Sequence, residues 1–163
     1  MIPIEHSQFR KDDPVRSTAH GFWRFAANYL LAARVVELGI HKEGHLYLPT
    51  FHLYGLAIEL SLKAFLLRRG ESLSKLRTMS HSLTKVLDLS RRRKLGRVVN
   101  LTKREDEAIR ILDLTYSSNR LRYIVTGAIK LPHLIEVSRA SESLVVDLEL
   151  LCTGSKGRIG PNL

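Results

Sequence analysis

Apolar residues recur at three- and four-residue steps along most of the chain, which is the spacing of helices that bury one face. The first such segment begins near Ser17. Its stripe consists of Phe22, Phe25 or Ala26, Tyr29, Ala33 and Val36. The pattern predicts a helix that ends near Leu38, with Gly39 as its C-terminal stop.

A second segment, from about Phe51 to Arg69, is apolar on nearly every side and is followed by Gly70. A helix with apolar residues around its whole circumference is normally surrounded by other elements. We therefore expect this helix to be the most buried element, at the centre of a bundle.

The middle of the chain is less regular. Residues 71–80 are predicted to form a loop, and a short helix is expected from Ser82 to Leu89. Thr102 and Glu105 have the spacing of a capping box, in which the two side chains satisfy free backbone N–H groups at a helix start. They predict a fourth helix that runs towards Tyr123.

A fifth helix is expected after Gly127 and Pro132, two residues that interrupt regular structure. Its apolar stripe consists of Leu134, Val137, Leu144, Leu148 and Leu151. The chain shows no alternating pattern long enough to indicate a sheet. We therefore predict an all-α fold, an antiparallel bundle of about five helices.

The 163 residues are enough for one hydrophobic core and too few to suggest two. We assign residues 17–152 to a single helical domain. Residues 1–16 lack periodicity and are predicted to be an irregular N-terminal arm, and residues 153–163, rich in glycine, a flexible C-terminal tail.

The formal net charge of +10 and a pI near 10.1 are the largest compositional deviations. A field of this sign attracts polyanions, of which nucleic acid is the commonest in a cell. Five basic side chains are concentrated between two predicted helices: Arg91, Arg92, Arg93, Lys94 and Arg97. They form either a phosphate-binding surface or a solvated loop, and the sequence leaves both open.

The longest stretch without a charged residue runs from Gly44 to Ile58, which is shorter than the ~18 apolar residues that span a bilayer. The N-terminus lacks the basic and apolar regions of a secretory signal. We therefore expect a cytoplasmic protein with no membrane partner. Cys152 is the single cysteine, and its apolar neighbours indicate a core residue.

Glu59 and Lys63 stand one turn apart in the central helix, where opposite charges meet on a helix face. Their neighbours are apolar, so the pair should be partly buried and should attract further polar partners. The candidate partners are His81 and the Arg122–Tyr123 pair. This cluster is either a network that fixes how helices cross or a working site.

These residues also carry a resemblance. The string from Ala57 to Leu67, AIELSLKAFLL, followed by His81-Ser82-Leu83 and later by Leu121-Arg122-Tyr123, resembles the pattern of HEPN-like domains. The name stands for higher eukaryotes and prokaryotes nucleotide-binding. The resemblance implies an antiparallel helical bundle that dimerises. Many members are metal-independent ribonucleases of defence or toxin–antitoxin systems, while others bind RNA or nucleotides or accompany a small nucleotidyltransferase.

Ribonucleases of this family carry an arginine and a later histidine that are separated by four to six intervening residues. Arg34 and His41 are the one formal match, but Gly39 interrupts the helix between them. No histidine stands at that spacing after Arg120 or Arg122. The resemblance therefore predicts no catalytic residue of the usual kind.

The histidines His41, His45 and His52 do not have a spacing that brings three metal ligands onto one helix face. No metal or cofactor is expected. We predict a homodimeric, non-catalytic module that binds RNA or a nucleotide. Two alternatives remain open: a metal-independent ribonuclease toxin with a degenerate active site that includes His81, and an interaction partner of a nucleotidyltransferase or an antitoxin.

Overall fold

The computed structural model describes residues 17–40, 47–121 and 129–154. These residues form α-helices and contain no strand, so the predicted all-α class is confirmed for the part of the chain that is described. The helices are α1 (Ala19–Gly39), α2 (Tyr47–Arg68), α3 (Leu73–Thr78), α4 (Leu83–Arg92), α5 (Lys103–Tyr116), α6 (Leu134–Asp147) and α7 (Glu149–Thr153). A single 3₁₀ turn, Leu95–Arg97, lies between α4 and α5.

The helix α2 is the centre of the bundle, as predicted. It packs along α1 and also contacts α4, α5, α6 and α7. Eight of its apolar side chains are fully buried: Phe51, Tyr54, Ala57, Ile58, Leu62, Ala64, Phe65 and Leu66. By length and composition α2 would also pass for a membrane span, but 67% of its most apolar window is buried inside the bundle. Burial of that kind is typical of a core helix.

The end of the first helix and the start of the second helix lie close to their predicted positions. The first, α1, ends at Gly39. The second begins at Tyr47, four residues before the predicted start, because Pro49 falls in its first turn, where the missing backbone N–H costs no hydrogen bond. After α2 the chain turns at Gly70, whose φ of +84° is a conformation that glycine adopts without strain.

Residues 71–80 are not the predicted loop, because they contain α3. The Ser72 side chain accepts a hydrogen bond from the Lys75 backbone N–H and thereby caps this helix. Similarly, the Ser82 hydroxyl caps α4. That helix continues beyond the predicted Leu89 to Arg92, so the start of the basic run is helical.

The last two predicted helices differ from the observed ones in length and continuity. The predicted capping box of Thr102 and Glu105 is confirmed at the start of α5. This helix ends at Tyr116, and Asn119 adopts a φ of +60° soon afterwards. The predicted fifth helix is divided at Leu148 into α6 and α7. The bundle therefore has seven α-helices among the described residues where about five were expected.

The predicted boundaries of the domain can be compared with the structure only in part. Residues 1–16, most of the predicted tail and residues 122–128 lie outside the described residues. Thr153, which was assigned to the tail, is the last residue of α7. Cys152 is buried, and burial raises the pKa of its thiol to about 11, which agrees with its predicted place in the core.

Candidate functional site

The predicted pair of Glu59 and Lys63 is present and buried. Lys63 Nζ donates to Glu59 Oε1 at 2.6 Å, and only 4% of the glutamate side chain is exposed. Lys63 Nζ also donates to the Ser80 carbonyl at 2.9 Å. The ammonium group thus joins α2 to the turn between α3 and α4, where Ser80 has a φ of +50°.

Two further side chains complete this group, which we call the carboxylate cluster: Glu59, Lys63, His81 and Tyr116. His81 Nδ1 lies 3.2 Å from Glu59 Oε2, as the sequence predicted. Tyr116 Oη donates to the same oxygen at 2.6 Å. Arg122 and Tyr123, the other predicted members, lie outside the described residues.

Sequence reasoning did not identify the Tyr116 hydroxyl as a member of this cluster. A glycine in α2 makes the contact possible. A Cβ atom on Gly55 would lie 2.5 Å from Cδ2 and Cε2 of the Tyr116 ring, so only glycine lets the ring approach α2 this closely. A tyrosine in a buried stripe needs a hydrogen-bond partner, and that requirement was the available signal.

Electrostatics in the cluster favour the ionised carboxylate. Burial by itself would raise the pKa of Glu59, but the charge and hydrogen bond of Lys63, with the hydrogen bonds of Tyr116 and His81, outweigh it and lower the pKa. The carboxylate therefore stays ionised at neutral pH and is matched by a buried cation.

His81 is the member of the cluster that solvent reaches, with 43% of its side chain exposed. Because Nδ1 faces the carboxylate, Nε2 is the nitrogen that could exchange a proton with a bound molecule. The cluster is thus a buried ionic network with one accessible imidazole.

Next to the cluster, Asp113 holds the start of α4. Its carboxylate accepts hydrogen bonds from the backbone N–H of Leu83 at 2.7 Å and of Thr84 at 3.2 Å, and from the Ser82 hydroxyl at 3.0 Å. The two backbone N–H groups are among those that a helix start leaves without partners. Sequence reasoning missed Asp113, although its place on the buried face of α5 indicated a side chain with partners.

A second polar contact joins three helices. The Tyr54 hydroxyl of α2 donates to the Glu37 carboxylate of α1 and accepts from the Ser138 hydroxyl of α6 at 3.1 Å. Burial and the neighbouring carboxylate raise the pKa of Tyr54 well above its ordinary value. A phenol this weakly acidic serves as a fixed hydrogen-bond donor, so we interpret this contact as structural.

The predicted basic run divides into two kinds of side chain. Arg91 Nη2 contacts Asp106 Oδ1 at 2.9 Å, and Arg93 Nε donates to Glu71 Oε1 at 2.6 Å. These two charges are neutralised by carboxylates and join α4 to its neighbours.

The other three members, Arg92, Lys94 and Arg97, are exposed and form no ion pair with any residue that the structure describes. We call them the basic surface. Lys94 has a φ of +67°, and buried Leu95 follows it into the 3₁₀ turn. The basic surface therefore extends from the end of α4 to an ordered turn that buried Leu95 anchors in the core, and its three side chains are exposed to solvent.

Three apolar side chains of α1 are exposed to solvent. Phe25 is 60% exposed, Val35 68% and Leu38 79%. Contiguous exposed apolar patches often mark a contact with another protein. The homodimer stays a prediction, and these three side chains are candidate contacts in its interface.

We find no candidate metal site among residues 17–40, 47–121 and 129–154. These residues contain no group of three or more histidine, cysteine or acidic side chains that could hold a metal ion. His41 and His45 lie outside these ranges. Comparison with known protein families, with curated proteins and with solved structures finds no match for this chain.

Proposed function

We propose that this protein binds RNA through the basic surface and does not cleave it, as a helical module of the HEPN-like type in a defence or toxin–antitoxin setting. The observation that carries the proposal is the division of the basic run, in which three exposed cations have no carboxylate partner among the described residues. The motif around Glu59 and the helical bundle are compatible with the HEPN-like identity.

The proposed contact is electrostatic. Cations that already bind carboxylates gain little from a phosphate, whereas a free cation that neutralises a phosphate releases counterions. Arg92, Lys94 and Arg97 are therefore the residues expected to bind. Contacts with phosphates do not distinguish sequences, so we expect affinity without strong sequence preference at this surface.

The test is fluorescence anisotropy with a mixed-sequence single-stranded RNA across a salt series. Changing Arg92, Lys94 and Arg97 together to alanine should flatten the slope of log affinity against log salt by about 2, since each neutralised phosphate contributes about 0.7. The matched control changes Arg24, Lys130 and Arg139 to alanine, which removes the same charge from other elements. Equal flattening in both variants would show a general charge effect and overturn the proposal.

A second function, metal-independent RNA cleavage, is favoured by the accessible His81 beside Glu59. Such cleavage needs one group to take the 2′-hydroxyl proton and another to protonate the leaving oxygen. His81 could do one of these, but Lys63 is buried and bound to Glu59, so no described neighbour is free for the other. Cleavage that persists in chelator and disappears in His81→Gln would support this function over binding alone.

A further inference from the structure

A groove of about 720 Å³ lies between α5 and the segment that leads into α6. Arg104, Glu107 and Ile111 line it from α5, and Glu136 lines it from α6. Tyr47, the first residue of α2, also borders it. The volume is within the range of about 300–1,000 Å³ that is usual for sites of small ligands.

A second depression extends from the groove towards the start of the basic run. A smaller depression of about 270 Å³ is bordered by Arg91, which precedes Arg92 in α4, and by Lys103, the first residue of α5. Glu107 borders both this depression and the groove. Glu107 and the depression thus connect the groove with Arg91, at the start of the basic run, and Arg104 provides another exposed cation in the groove.

The charges in the groove determine which part of a nucleic acid could enter it. Two carboxylates, Glu107 and Glu136, line the groove together with Arg104 and His133, and the carboxylates would repel a phosphate. A nucleobase is uncharged, and its exocyclic amino group donates hydrogen bonds that a carboxylate accepts. The groove is thus better suited to a base than to a phosphate.

An aromatic ring is the other feature that a base site needs, because bases of single strands stack on aromatic side chains. Residues 66–115, which include the basic surface, contain no Phe, Trp or Tyr. Tyr47 supplies a ring in the groove and is 39% exposed. It packs edge-on against Phe51, with 5.0 Å between ring centroids, so Phe51 supports the ring on one side.

We propose that the groove between α5 and α6 holds one base, carrying an exocyclic amino group, of a single-stranded RNA whose phosphates lie on the basic surface. This inference depends on the RNA binding proposed above, but it concerns different residues. The basic surface accounts for the salt dependence, and the groove accounts for the dependence on bases.

The experiment compares oligocytidine with oligouridine of equal length by anisotropy at one salt concentration. The two bases are similar in size, but only cytosine carries an amino group. Oligocytidine should bind about five-fold or more tightly. Tyr47→Ala should weaken its binding roughly five- to one-hundred-fold, the range for the loss of one stacked base, with an unchanged salt slope. Tyr47→Phe, which keeps the ring, is the control and should bind like the wild type.

A second variant, Ile111→Trp, should narrow the groove without removing a ring and should lower the affinity for oligocytidine towards that for oligouridine. Circular dichroism checks that each variant is folded. Equal affinity for the two oligomers, or wild-type binding by both variants, would overturn the base site. If the Arg92, Lys94 and Arg97 variant still flattens the salt slope in that case, the proposed RNA binding stands without it.

Discussion

Replacing Glu59 with alanine tests the carboxylate cluster most directly. The change leaves the Lys63 ammonium buried with only the Ser80 carbonyl among its identified partners, and it removes the acceptor of the Tyr116 hydroxyl. Breaking a buried ion pair on one side costs on the order of 3–5 kcal/mol, because the remaining charge is poorly solvated. A domain is commonly stable by about 5–15 kcal/mol, so a large share of the stability should be lost.

Urea unfolding followed by far-UV circular dichroism measures this cost. The control is Glu142→Ala, which breaks the ion pair between Arg34 and a glutamate side chain that is 51% exposed. Exposed pairs contribute about 0–1 kcal/mol. The double variant Glu59→Leu with Lys63→Met should be more stable than Glu59→Ala alone, because it leaves no unpaired buried charge. If Glu59→Ala costs no more than the control, the description of a buried ionic network is wrong.

The same cluster predicts a dependence on pH. Since folding lowers the pKa of Glu59, its contribution to stability is fully present above the pKa of an unfolded glutamate, about 4.3, and is lost as the pH falls through the lower folded value. The stability advantage of the wild type over Glu59→Gln should therefore shrink on acidification below about pH 4. A constant difference between the two proteins across this range would contradict the lowered pKa.

Three further outcomes are expected. Gly55→Ala should destabilise the protein by about 1–3 kcal/mol in the same urea assay, because its Cβ would clash with the Tyr116 ring. The control is Gly96→Ala, which should cost much less, because its Cβ would come no closer than 3.7 Å to Arg91. Asp113→Ala should cost about 1–3 kcal/mol, because the N–H groups at the start of α4 lose their acceptor, and a neutral effect would remove its capping role. Sedimentation at micromolar concentration should show a dimer that Leu38→Arg dissociates, and a wild-type monomer would exclude the homodimer.

Local patterns were sufficient to predict the all-α class and the central position of α2. The continuous apolar circumference of α2 placed it in the centre, because no face of such a helix is stable in water. The spacing of Thr102 and Glu105 located the start of α5 through local hydrogen bonds. The four-residue interval between Glu59 and Lys63 likewise brought their charges together within one helix. Each of these features depends on residues that are close in the chain.

Contacts between distant residues were decided only by the tertiary structure. Tyr116 reaches Glu59 because Gly55 lets its ring approach α2. The pattern of apolar positions in the sequence does not indicate how close the ring and the helix are. The sequence does not distinguish Arg91 and Arg93 from Arg92. Only the packing of the helices brings Asp106 to Arg91 and Glu71 to Arg93. The sequence by itself determined the place of the central helix, the charge pair within that helix, and the capping box at the start of α5. The tertiary structure decided which cations remain free to bind, because an ion pair depends on distances that only packing sets.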